Sequence, residues 1–224
     1  GVLNGMMIIA NMIDQKQILA GLVVAGENGG PLLNNTIQTL LSRPDITRST
    51  IKSSFASLTI GSAAVGVVLS HKKISRQGHR LMGGVSLAET QFNHLCRGND
   101  DSGTSGNWSP LMETDSEALM QEGCRLAGKT WERTREELGW VNEDVSRVFC
   151  HQVGKGHRNL MYENVGLDLQ KDFSTLEFLG NTGAASLPTT LAMGIEKNIL
   201  NAGDKAALLG IGSGLNCMMM GVEW

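Results

Sequence analysis

The chain has 224 residues, a formal net charge of −3, 41% hydrophobic residues and 4% aromatics. This supports one large domain or two small ones with a buried core, and a charge so close to neutral, with no long run of one sign, argues against nucleic acid as a partner. No apolar run reaches the roughly 18 residues of a membrane span, nothing reads as a signal peptide, and the scattered Cys96, Cys124, Cys150 and Cys217, with no CxxC, suggest neither a zinc site nor a redox pair and fit a reducing cytoplasm.

The opening "GVLNGMMIIANMI" lacks an initiator Met and is apolar from its second residue. It reads as a helix buried on every side, whose cover lies upstream, so the chain is expected to be a fragment without its first part. "QILAGLVVAGE" (17–27) is a short apolar run ending in glycine and predicts a buried strand. "NNTIQTLLSRPD" predicts a short helix or turn stopped by Pro44. "FASLTIGSAAVGVVLSH" (55–71) predicts one strand, or two joined at Gly61. The acid-free "HKKISRQGHR" (71–80) is a surface connection, and "LMGGVSLAETQFNHL" (81–95) resumes strand character. "RGNDDSGTSGNWSP" (97–110) is a loop by composition. It is acidic, but lacks the spacing of an EF-hand.

The clearest helix comes next. Thr114 and Glu117 fit a capping box, and the helix runs from about Ser116 to Leu138 before Gly139, with Leu119, Leu126, Thr130 and Leu138 in its buried stripe. "VSRVFCHQ" (145–152) predicts a strand, and "RNLMYENVGLD" (158–168) and "SLPTTLAMGIEKNIL" (186–200) predict helices. "KAALLGIG" (205–212) and "LNCMMMGVEW" (215–224) are two strands too close for a crossover helix, so they should pair as a hairpin. Alternating strands and helices imply an α/β fold. A weak internal echo, "IGSAAVGVVLS" (60–70) against "IGSGLNCMMMGV" (211–222), puts a Gly-Ser turn before an apolar strand twice and suggests two related halves.

Three features point to chemistry. His151 stands at the C-terminal end of a strand, the edge where open α/β sheets collect ligands; a histidine bonding only a backbone carbonyl is the plainer alternative. Cys150 should face away from His151, because neighbouring strand residues point to opposite faces, and it reads as a small buried hydrophobe. Asn181, in "FLGNTGAASLP" (178–188), lies among glycines and small residues that allow close backbone approach. The glycine-rich 210–214 turn cannot open a helix, since only ten residues come after Gly214. It can either aim backbone N–H groups at an oxyanion or simply close a hairpin. Together these suit acyl transfer, in which a thioester carbonyl or enolate gathers charge. The methionines of "CMMM" read as core or as the wall of an acyl channel, and Lys72, Lys73, Arg76 and Arg80 as a solvated linker or a contact for CoA phosphates or an acidic carrier protein.

The strand end carrying "HQVG", the "LGNTGAASLP" segment and the C-terminal "LLGIGSGLNCMMMGVEW" resemble, in this order and spacing, the thiolase superfamily and, within it, the ketoacyl synthase III group, above all the OleA-type enzymes that join two fatty acyl-CoA chains head to head. The resemblance implies a thiolase-like αβαβα fold, with residues 1–78 the end of a first half and 79–224 a complete second half. It implies Claisen condensation of acyl-CoA or acyl-ACP thioesters, no metal or redox cofactor, and a homodimer. His151 and Asn181 would be the His and Asn of a Cys-His-Asn triad, and Gly212, Ser213 and Gly214 the turn that helps form an oxyanion site. "GVLNGM" resembles the segment just after the family's nucleophilic cysteine, which would lie immediately upstream of Gly1; the glycines around Asn181 would let backbone approach the thioester. Rival readings are a malonyl-ACP-dependent ketoacyl-ACP synthase III, a hydroxymethylglutaryl-CoA-synthase-like enzyme, and a non-catalytic acyl-binding subunit.

Overall fold

The structure, a computed structural model, describes residues 1–48, 51–98, 111–151 and 153–224. In chain order it contains α1 (Val2–Asp14), β1 (Ala20–Asn28), α2 (Gly30–Leu41), the single-turn α3 (Phe55–Leu58) and β2 (Ser62–Ser70). Then come β3 (Arg80–Ala88), β4 (Cys96–Gly98), β5 (Met112–Thr114), the long α4 (Ser116–Leu138), β6 (Val145–Cys150) and α5 (Lys155–Val165). The chain continues with the single-turn α6 (Leu176–Leu179), α7 (Ser186–Glu196), β7 (Lys205–Gly212) and β8 (Asn216–Glu223).

A four-stranded sheet in the order β3-β8-β7-β6 organises the molecule. β7 and β8 form the expected hairpin, β3 lies antiparallel to β8, and β6 runs parallel to β7. Both faces of β6, β7 and β8 are buried, so these strands read as continuous apolar runs whose side chains alternate between two cores, while the edge strand β3 alternates with exposed positions. Val148, Cys150, Ala207, Leu209, Cys217 and Met219 point to one face, where Leu126 and Trp131 of α4 and Met161 of α5 cover them. Phe149, Ala206, Leu208, Met218 and Met220 point to the other, against Leu3 and Met6 of α1 and Leu187 of α7. Val23 and Ala25 of β1 and Val67 and Leu69 of β2 pack on that second core from beyond α1 and α7. β1 and β2 pair antiparallel as a separate sheet, in register from Ala20↔Ser70 to Asn28↔Ser62. The layers therefore run α4/α5, sheet, α1/α7, sheet. The methionines of 218–220 are core.

Several expectations need correction. The window 55–71 is not strand throughout: Phe55–Leu58 is helical, and the strand begins after Gly61, where the Val-rich alternation starts. Strand β3 ends at Ala88, and residues 90–95 form a 3₁₀ turn. The cap of α4 is Asp115, whose carboxylate accepts the Ala118 N–H at 3.1 Å. Thr114 instead ends β5, its hydroxyl turned to the Cys96 sulfur at 3.6 Å. Helix α1 is not covered all round: Val2, Leu3, Met6 and Ile13 are buried while Ile8 is 60% exposed. On the face of β1–β2 turned away from α1, Leu22, Val24 and Val68 are exposed as well. The acidic loop expected at 97–110 lies, from residue 99 on, outside the described residues.

Candidate functional site

β6 and β7 are parallel, so their C-terminal ends share one edge of the sheet, and a cavity of about 410 Å³ opens there. His151 follows β6 directly and its N–H donates to the Leu209 carbonyl at 3.1 Å, which extends the pairing with β7 by one residue. Gly212 and Ser213, at the β7–β8 turn, and Asn181, just past α6, line the same cavity. Four of the five residues singled out from the sequence, His151, Asn181, Gly212 and Ser213, thus meet around one space. Gly214 is not among its lining residues; it supplies the turn, with φ +122°.

The Asn181 side chain is held in one orientation. Its Oδ1 accepts the Gly183 N–H at 3.0 Å. A donor can meet only the oxygen of the amide, so Nδ2 is left to donate. The main chain is clamped as well: Asn181 N–H donates to the Thr59 carbonyl at 2.9 Å, and Gly61 N–H donates to the Asn181 carbonyl at 2.7 Å. The nearby glycines serve this clamp rather than the cavity, which corrects the reading that they admit a substrate. Gly180 has φ +67°, and a Cβ there would lie 2.6 Å from the Thr59 carbonyl oxygen; one on Gly183 would collide with the Glu27 carboxylate.

Burial holds His151 neutral: its pKa is pushed down to about 4, chiefly by desolvation, with added repulsion from His157. A neutral imidazole and an amide can donate hydrogen bonds to a developing oxyanion without a competing proton equilibrium at pH 7. The remaining walls are largely apolar: Phe55 and Ala56 of α3, Met112 of β5, Leu119 and Met120 of α4, Val153, Ile211 and Leu215.

Two residues of chemical interest escaped the sequence reading. His157, in the first turn of α5, lines the cavity, and burial lowers its pKa too. Cys96 brings a thiol to the same wall. A second histidine six residues after His151 was a visible signal for the first; nothing local marks Cys96, which long-range packing brings in. Cys150 is fully buried and faces away from the cavity, as alternation predicted, but it is more than a hydrophobe, since its thiol donates to Asp172 at 3.5 Å. Cys124 and Cys217 are buried, with pKa values pushed up to about 11 and about 12 by desolvation, so neither supplies a thiolate. The basic stretch is not at the site. Arg80 pairs with Glu223 at one end of the sheet and Ala88 with Asn216 at the other, so residues 72–80 lie a full strand length from the cavity.

A layered α-β-α-β body with ligand groups gathered at the ends of parallel strands defines a thiolase-like protein. The C-terminal domain family of 3-oxoacyl-[acyl-carrier-protein (ACP)] synthase III matches residues 136–224. Over 227 aligned residues the chain is 38% identical to an acyl-CoA:acyl-CoA alkyltransferase of Shewanella oneidensis, covering all of this chain and 64% of that protein. Among solved structures, Xanthomonas campestris OleA with bound lauric acid and lauroyl-CoA superposes with a TM-score of 0.89 at 36% identity, over 100% of this chain and 63% of that one. A FabH, 3-oxoacyl-(acyl carrier protein) synthase III, from Xanthomonas oryzae superposes with a TM-score of 0.88 at 35% identity, over 100% and 63% of the two chains. The fold is thiolase-like, residues 136–224 match the C-terminal domain of the ketoacyl synthase III family, and the whole chain is similar to acyl-CoA:acyl-CoA alkyltransferases while spanning a little under two thirds of the length of the curated relatives it matches first.

Proposed function

We propose that the full-length protein condenses two fatty acyl-CoA molecules head to head, with this chain supplying the donors that stabilise the enolate. The observation that carries the reading is the convergence of His151, Asn181 and the 212–213 turn on one largely apolar cavity. A cysteine next to the N-terminal end of α1 takes the first acyl group, as the resemblance implies; a helix N-terminus favours its thiolate. The second acyl-CoA gives its α-proton to a general base, from which the proton returns to the cysteine sulfur once that sulfur has left. The enolate oxygen takes hydrogen bonds from the neutral His151 imidazole and from Asn181 Nδ2, while the N–H groups of the turn face the carbonyl under attack. The enolate carbon bonds to the acyl carbonyl carbon, the C–S bond to the cysteine breaks, and the thiolate leaves a β-ketoacyl thioester. This reading includes a cytoplasmic homodimer. No described helix is long and apolar enough to cross a membrane, and the open apolar face of β1–β2 is a surface on which further protein can pack.

A second reading, condensation with malonyl-ACP, is supported by the comparable likeness to the FabH structure. Product analysis separates the two. With lauroyl-CoA alone the full-length protein should give a β-keto product of two joined chains; product that appears only when malonyl-ACP is added overturns the head-to-head reading.

A further inference from the structure

Against Cys150, the residue before His151, the fold buries a carboxylate, Asp172, that the condensation chemistry does not use. The Asp172 side chain is 0% exposed and lines no part of the cavity. Its Oδ1 accepts the Tyr162 hydroxyl at 2.7 Å and the Cys150 thiol at 3.5 Å. Its Oδ2 lies 2.5 Å from Arg158 Nε, a close ion pair that is not aligned as a hydrogen bond. The main chain at Asp172 is fastened to β6 by a bridge to Val148, and the next N–H, of Phe173, donates to the Val148 carbonyl at 3.2 Å. Burial, with the neighbouring negative charge, raises the pKa of both Cys150 and Tyr162, so both stay protonated and continue to donate.

Removing a carboxylate from water is costly, and a buried ion pair is weak evidence of stability for its own sake. The partners joined by this one are more informative. Cys150 is the neighbour of His151; Arg158 is the neighbour of His157; Tyr162 lies one turn further along α5. The chain between the two imidazoles passes through Gly154 and Gly156, and α5 has no side-chain cap at Gly154. Among the described residues the start of α5 is held to α4 by the Cys124 thiol, which donates to the His157 carbonyl at 3.8 Å, and its tie to β6 runs through Asp172. We infer that Asp172 is a positioning residue that locks the end of β6 to the first turns of α5 and so sets His151 and His157 in register across the cavity. This inference rests on the proposed condensation for its kinetic consequence, but not for its geometry.

The test uses the full-length protein with Asp172→Asn, Tyr162→Phe and the double variant Asp172→Asn/Arg158→Met. Asp172→Asn should still take up one acyl group, seen by mass spectrometry, while kcat for condensation falls by about tenfold or more with little change in KM, the penalty of misplaced groups. Histidine Cε1–H resonances supply a readout independent of activity. In the parent protein both histidines should titrate well below the ordinary value of about 6.5; in Asp172→Asn, water reaches a loosened ring and both should titrate closer to it. The double variant leaves no unpaired charge, so it should regain thermal stability yet stay slow. An Asp172→Asn protein with unchanged kcat and unchanged histidine titrations overturns the inference, as does a double variant that recovers both stability and rate. Should Asp172→Asn fail to fold, Tyr162→Phe decides: a several-fold loss of kcat with acylation intact supports the role, and an unchanged kcat removes it. If the parent protein yields no condensation product, the proposed function fails, and the titrations alone judge Asp172.

Discussion

Gly61 and Asn181 touch main chain to main chain: the Gly61 N–H donates to the Asn181 carbonyl at 2.7 Å, and a Cβ on Gly61 would overlap the Leu179 carbonyl oxygen. A glycine that precedes β2 thus governs where an amide at the cavity sits, although 120 positions separate them in sequence. Gly61→Ala must push one backbone off another, and should destabilise by about 1–3 kcal/mol or more, as overpacking does. Gly26→Ala is the control, because its Cβ meets nothing within 4 Å. Denaturant unfolding measures both; equal stabilities for the two variants would show that the contact yields without cost.

His151→Ala in the full-length protein should still accept the first acyl group but condense about 10²-fold more slowly or worse, the usual effect of losing an oxyanion donor. Single-turnover kinetics with labelled acyl-CoA resolves the two steps. An undiminished second step would remove His151 from the chemistry.

Asn181→Asp keeps the size of the side chain and the bond to the Gly183 N–H, but replaces the Nδ2 donor with a carboxylate oxygen. The protein should fold with near-parent stability while condensation collapses, because like charges would face each other across the cavity. A folded Asn181→Asp with parent rates contradicts the donor role.

The depressed pKa of His151 links stability to pH. The folded imidazole resists protonation until about pH 4, whereas the unfolded one titrates near 6.5. Between these values the unfolded chain binds the extra proton. The contribution is fully present above about pH 6.5, is lost progressively as pH falls towards 4, and is constant below. His157, shifted in the same direction by burial, adds to the slope. His151→Gln should make the fall of melting temperature between pH 6.5 and 4 shallower; an identical slope in the variant would mean that the ring is hydrated in solution.

Peptide mapping of the acylated full-length protein should place the adduct on none of Cys96, Cys124, Cys150 and Cys217. Desolvation keeps the last three protonated. Cys96 lines the cavity and is the informative residue, since an adduct there would reassign the nucleophile.

Elements whose signals are local were legible in the sequence. The bounds of α4 followed from apolar spacing and from Gly139, which takes the left-handed conformation at φ +65°. The β7–β8 hairpin followed from the lack of room for a crossover. The cap was displaced by one residue because Thr114 and Asp115 are both good cap residues, and only pairing with β4 commits Thr114 to a strand. His151, Asn181 and the 212–213 turn were legible because each ends or follows an apolar strand or lies in a glycine-rich segment. Asp172 was not: "QKDFST" looks like an ordinary surface turn, and its carboxylate is buried only because α5 and β6 close over it. The purpose of Gly180 and Gly183 was misread for the same reason, since the atoms they make room for belong to Thr59 and Glu27.

The cavity walls come from α3, the β4–β5 pair, the start of α4, the segment from His151 to His157, Asn181 and the β7–β8 turn, so the chain from Phe55 to Leu215 must be in place before the space exists. No short stretch of sequence holds even half of it. Contacts between segments this far apart reward the chain only after its long loops have closed, and folds built on them form slowly. On refolding, the 23-residue α4 can regain its helical signal early, from local interactions, whereas the buried environment of the cavity should return last, as a report that the whole body has closed.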